Sequence, residues 1–154
     1  MSKPEVQPRP ASTMLLLRQT ADEFEIFMMV RHDQIDFASG ALVFPGGSVD
    51  ASDKDLLGKP ELFSAGGISD PIPLGLRVAA IRETFEESGI LLARPRGSNE
   101  LVSAERASQV EAAHREALCE GKIKFADILI EAKLVLALDL LVPYAHWITP
   151  AGLP

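Results

Sequence analysis

At 154 residues the chain is one domain's worth of polymer, enough to bury roughly two thirds of its unfolded surface in one core and too short for two full domains. A composition of 47% hydrophobic and 24% charged residues excludes disordered, collagenous and coiled-coil classes. Fifteen Lys and Arg against 22 Asp and Glu give a net charge of −7, which repels polyphosphate backbones and argues against nucleic acid as a partner.

Residues 1–12, with Pro4, Pro8 and Pro10, read as an extended leader without the apolar core of a secretory signal. Residues 13–18 and 24–31 are apolar and β-prone, and the polar stretch 20–23 between them predicts a hairpin. A third apolar run, 41–44, ends in Pro45-Gly46-Gly47, where the glycines permit a turn and a close approach. Residues 48–73 read as loop, broken by Gly58, Pro60, Gly66, Gly67, Pro71 and Pro73.

The clearest helix spans 74–88, with Pro73 suited to its first turn and Gly89 to its C-terminal cap. Residues 90–93 then read as a strand. An Ala- and Glu-rich stretch, 104–120, predicts a second helix supported by the Glu111/Arg115 pair and stopped by Gly121, followed by a short helix over 126–134. Residues 144–149 are aromatic and β-branched and read as a closing strand. The expected organisation is a leader over 1–12 and one domain over 13–154, with a loop insertion at about 54–73 and a helical segment at about 104–134.

The longest apolar run, 134–142, contains Asp139 and is far shorter than the roughly 20 residues of a membrane span, so no membrane is expected as a partner. The single cysteine, Cys119, fits a reducing compartment and reads as an inert helix residue; a cytoplasmic location is expected.

Chemistry concentrates on the first helix. At about 100° per residue, Val78, Ile81 and Phe85 form a core-facing stripe, while Glu83, Glu86 and Glu87 share an arc of about 100° elsewhere. Carboxylates three and four apart repel, the C-terminal half of a helix disfavours negative charge, and Arg82 is the one local cation. A hard divalent cation would reward the arrangement, because Mg²⁺ takes oxygen ligands and bridges carboxylates to phosphates. The competing reading on the helix alone is a solvated acidic face.

Phe44-Pro45-Gly46-Gly47 upstream and Arg82-Glu83-Thr84-Phe85-Glu86-Glu87-Ser88-Gly89-Ile90 on the helix together resemble the Nudix hydrolases, whose box reads G-x5-E-x7-R-E-U-x-E-E-x-G-U with U aliphatic. Thr84 stands at the first U, and Gly47 with Asp53 stands for the first half. Between Asp53 and Arg82 lie 28 residues in place of seven. Lengthening a loop is cheap, each doubling costing about 0.6 kcal/mol, so separated halves can meet. The interrupted box, the run 41–47 and Trp147-Ile148-Thr149-Pro150 are similar to the branch that includes peroxisomal coenzyme A diphosphatases. Gly40 matches a glycine of that branch's coenzyme A signature; Arg31 is available as one of its basic residues, and Asp36 stands where a second Arg is expected.

The resemblance implies an α/β (α+β) fold, an α/β/α sandwich with a mixed sheet, C-terminally incomplete in this chain. It implies hydrolysis of a diphosphate linkage in a nucleoside diphosphate joined to another moiety, coenzyme A-like molecules included, by water activated on Mg²⁺ or Mn²⁺. Glu83, Glu86 and Glu87 would be metal ligands together with a backbone carbonyl near Gly46. Arg82 would orient a ligand carboxylate, and Glu86 or Glu87 is an alternative general base. Arg31, Phe44, Gly46 and Gly47 are the candidate substrate contacts. The expected partners are a small-molecule nucleotide diphosphate derivative and, covering an exposed sheet edge, a second copy of the chain. The alternative is a noncatalytic module that binds or senses a nucleotide. His32, His114 and His146 lack the spacing of a metal pair, and Ser48 is excluded as a nucleophile by Asp50 where an elbow glycine belongs.

Overall fold

The computed structural model describes residues 8–30, 40–68 and 73–149. The chain opens on four short strands, β1 (Ala11–Thr13), β2 (Leu17–Gln19), β3 (Phe24–Ile26) and β4 (Met29–Val30), and continues through β5 (Leu42–Val43) and β6 (Gly46–Ser48). The expected hairpin is β2 and β3, antiparallel with Leu17 opposite Ile26. Its apolar residues Leu17, Phe24 and Ile26 are exposed. Gly46 and Gly47 were expected in a turn; they lie in a strand instead, with Thr13 opposite Gly46 and Ser12 opposite Gly47.

The stretch 48–73, expected as loop, holds α1 (Ala51–Leu57), a 3-10 turn (Pro60–Leu62) and β7 (Phe63–Ser64). Helix α1 forms because Asp50 caps it: its carboxylate accepts from the Ser52 N–H at 2.7 Å, and Asp53 reaches back to the Asp50 N–H at 2.8 Å. That is the reciprocal satisfaction of a capping box, built from two aspartates. Leu56 and Leu62 are then buried in the core.

Helix α2 (Leu74–Ser88) has the expected bounds, and Gly89 ends it in the left-handed region at φ +75°, where its N–H donates to Phe85 O at 2.9 Å. Val78, Ile81 and Phe85 are fully buried. Such burial stabilises by about 1.5–3 kcal/mol per large side chain. Phe85 stacks on Phe125 with ring centroids 5.9 Å apart. Thr84, polar where the motif has an aliphatic residue, is buried too, and its hydroxyl donates to Ala80 O at 2.7 Å.

Beyond α2 come β8 (Ala93–Pro95), α3 (Ala104–Cys119), α4 (Phe125–Glu131) and β9 (Leu134–Ala137), then a 3-10 turn, Leu138–Leu140. Strand β9 is central to a mixed sheet, parallel to β7 and antiparallel to β8. The strand expected at 90–93 is therefore displaced to β8, and β9 arises inside a run read only as apolar. The strand expected over 144–149 does not form among the described residues: 144–149 have no ladder partner there, and Tyr144 and Trp147 are exposed. Strand preference is realised only against a neighbour. Among the described residues no helix is long and apolar enough to cross a membrane.

Helix α2 packs against β1, β6, α1 and α3, so it is the element around which the others are arranged. The Ser12 hydroxyl fixes β1 to it by donating to Leu76 O at 2.7 Å.

Candidate active site

Arg82 is the centre of the site. Its guanidinium has five N–H groups, and each has an acceptor. Nε donates to Asp53 Oδ1 at 2.8 Å; one terminal nitrogen donates to Asp53 Oδ2 at 2.9 Å and Ser48 O at 3.0 Å; the other donates to Glu83 Oε1 at 2.9 Å and Glu86 Oε2 at 3.0 Å. The residue is 6% exposed and Asp53 1%. Burial opposes the charge on Arg82, but the Asp53 hydrogen bonds and the Asp53, Glu86 and Glu83 charges outweigh it and hold its pKa above the ordinary value. The Glu86 pKa is also raised, which for a carboxyl favours the neutral form: burial raises it, Arg82 opposes the rise, and Glu83 adds to it.

Strand β6 is laid against this face by its glycines. The Gly46 N–H donates to Glu87 Oε2 at 2.8 Å. A Cβ on Gly47 would stand 2.5 Å from the Glu83 carboxyl carbon, and a Cβ on Gly46 would stand 2.3 Å from Ser12 O of β1. One glycine admits the carboxylate; the other admits the neighbouring strand.

The structure thus brings together six of the sequence-derived candidates: Arg82, Glu83, Glu86, Glu87, Gly46 and Gly47. Phe44 is half-buried just before β6, and Arg31 lies outside the described residues, as do His32 and Asp36. Asp53, seen in the sequence only as a stand-in for a glutamate, is the buried counter-ion of Arg82.

No family model matches the chain. Acyl-coenzyme A diphosphatase NUDT19 of Gallus gallus is 30% identical, with 84% of this chain and 44% of that protein aligned; its Xenopus laevis counterpart is 26% identical, with 86% and 44% aligned. The crystal structure of a Nudix hydrolase from Alicyclobacillus acidocaldarius matches with a TM-score of 0.65 and 26% identity, over 96% of this chain and 65% of that one. The chain belongs to the Nudix superfamily. It spans less than half the length of the curated relatives it matches.

Nudix hydrolases generally use divalent metals, so the donor set of this Nudix domain can be tested for fit. Its chemistry fits, since Glu83, Glu86 and Glu87 offer hard oxygen donors on one helix face beside β6. Their present engagement differs. Glu83 and Glu86 turn to one Arg82 nitrogen and Glu87 to the Gly46 N–H, and among the described residues no group of three or more His, Cys, Asp or Glu side chains is arranged to hold a metal ion.

Sequence reasoning missed one participant. Arg115 of α3 donates from Nε to Glu86 O and from a terminal nitrogen to Glu87 O, both at 2.8 Å, while its other terminal nitrogen donates to Glu111 Oε1 at 3.0 Å. The Glu111/Arg115 spacing was visible in the sequence, but only as support for α3 itself. His114 is engaged elsewhere, 3.9 Å from Glu131, and the Cys119 thiol lies 3.5 Å from Glu86 O.

Proposed function

We propose that this Nudix domain is a divalent-metal-dependent hydrolase that cleaves the diphosphate linkage of a nucleoside diphosphate joined to another moiety. The observation that carries the reading is Arg82, fully hydrogen-bonded and buried, gathering Asp53, Glu83 and Glu86 beside a glycine strand that bonds Glu87. The relatives named acyl-coenzyme A diphosphatase support a coenzyme A-like member of that substrate class.

Glu83, Glu86 and Glu87, with a backbone carbonyl near Gly46, are the residues that would hold Mg²⁺ or Mn²⁺. Such an ion supplies charge neutralisation of the diphosphate, polarisation of the attacked phosphorus and a bound water of lowered pKa. The chain's own contributions are distinct. Arg82 orients Glu83 and Glu86 through one nitrogen and is fixed behind by Asp53, so two carboxylates are preset by one group. Gly46 presents its N–H to Glu87, and Gly47 leaves the Glu83 carboxylate the space a side chain would take. Glu86 and Glu87 are the two candidate general bases for the attacking water.

The test is release of monophosphate products from a panel of coenzyme A, ADP-ribose, NADH, dinucleoside polyphosphates and sugar nucleotides in Mg²⁺, followed by phosphorus NMR. Hydrolysis of a panel member is expected to disappear in the Glu86→Gln plus Glu87→Gln double variant; turnover that survives the double change would falsify the reading. A second reading is a module that binds nucleotide without turnover. Calorimetric binding with Mn²⁺ present and no product over hours would decide for it. A homodimer belongs to the leading reading, supported by the exposed apolar face of β2 and β3, and light scattering tests it.

A further inference from the structure

We propose that Arg115 is a positioning residue for the α2 carboxylates, acting through the backbone of the turn that bears Glu86 and Glu87. The inference rests on the diphosphatase reading and deepens it.

The last four carbonyls of any helix lack partners within it. In α2, Phe85 O receives the Gly89 N–H, whereas Glu86 O and Glu87 O receive Nε and a terminal nitrogen of Arg115, each at 2.8 Å. This end of a helix favours a cation, yet α2 has no basic residue in its last turn and carries two acids there. The missing charge comes from α3. It is held in place from its own side, because Glu111 accepts from Arg115 at 3.0 Å one turn earlier.

Gly89 completes the latch. A Cβ at that position would stand 2.2 Å from Glu111 Oε1, so the glycine that ends α2 also makes room for the carboxylate that anchors Arg115. A planar guanidinium bonded to two consecutive carbonyls sets both the rotation and the rise of the turn they belong to; an ammonium, being a point charge, sets neither. The side chains on that turn are Glu86 and Glu87. Groups that support a ligand from behind typically change metal affinity or activity by about 10–100-fold when removed.

The experiment compares the chain with Arg115→Ala, Arg115→Lys and Glu111→Gln by Mn²⁺ titration read by electron paramagnetic resonance without substrate, by kcat and KM on the best panel substrate, and by circular dichroism. Arg115→Ala is expected to keep its helical signal, to bind Mn²⁺ about tenfold more weakly or worse, and to lose kcat with little change in KM. Guanidinium ion added at millimolar concentration should restore part of both, and Arg115→Lys should not. Unchanged Mn²⁺ affinity and kcat in a folded Arg115→Ala overturns the proposal. If that variant does not fold, Glu111→Gln decides, with weaker Mn²⁺ binding supporting the proposal and wild-type binding overturning it. A wild-type chain that neither binds Mn²⁺ nor hydrolyses any panel member overturns the diphosphatase reading and this proposal together, a result distinct from a failure of Arg115 alone.

Discussion

Arg82 and Asp53 are 29 positions apart and meet in two hydrogen bonds of 2.8 and 2.9 Å, almost wholly out of water. The pair joins α1 to α2 across the long separation between the halves of the motif. Asp53 also caps α1, so one carboxylate holds the start of one helix and the side of the other. Removing the cation strands that carboxylate: Arg82→Ala is expected to lose about 3–5 kcal/mol in urea unfolding. Arg82→Lys offers three donors to acceptors that use five, so both stability and turnover should fall well below wild type despite the retained charge.

The two glycines of β6 separate stability from function. In Gly46→Ala the new methyl meets strand backbone, which has no room to yield, and the expected result is a loss of about 1–3 kcal/mol or more in thermal or urea unfolding. In Gly47→Ala its three nearest neighbours are the atoms of the Glu83 carboxylate, the far end of a side chain, so stability should change less while hydrolysis drops sharply. Equal stability losses in the two variants would contradict this division.

Metal removal should act on both activity and stability. Chelation with EDTA is expected to abolish hydrolysis, and restoring Mn²⁺ at 100 times its dissociation constant should stabilise the folded chain by about 2.7 kcal/mol. Differential scanning fluorimetry across a Mn²⁺ series checks it. The Glu86→Gln plus Glu87→Gln double variant should show no such rise.

Acid stability should depend on a different pair. Asp139, after β9, accepts from Arg94 of β8 at 2.6 and 2.9 Å, and that bond, against a smaller opposing effect of burial, holds its carboxyl below the ordinary value of 3.8. A depressed carboxyl contributes stability that is full above its unfolded pKa and is lost as pH falls through its folded pKa. Asp139→Asn should therefore differ most from wild type near neutrality, and the gap should narrow below about pH 4. A gap that widens in acid would refute the assignment.

What could be read beforehand followed physical locality. Helix α2 was legible end to end because its apolar stripe, Pro73 and Gly89 agree. The β2–β3 hairpin was legible from two apolar runs flanking polar residues. Helix α1 was missed because glycines and prolines dominated the reading of 48–73, although Asp50 and Asp53 three apart carry the signature of a cap. Strand β9 was missed because a short continuous apolar run has no period with which to tell strand from helix. At the site, Glu83, Glu86 and Glu87 were visible as neighbours on one face. The roles of Asp53 and Arg115 were not, because these residues reach Arg82 and the end of α2 only through tertiary packing.

Cys119 offers a use of its own. It is the sole sulfhydryl in the chain, it is exposed, and it lies 3.5 Å from the Glu86 carbonyl oxygen. Partial desolvation raises its pKa, so a maleimide reacts best in mildly alkaline buffer. A fluorine or nitroxide tag attached there would report on the foot of the carboxylate-bearing helix in the unmutated protein, making its motions accessible to spectroscopy without any engineering.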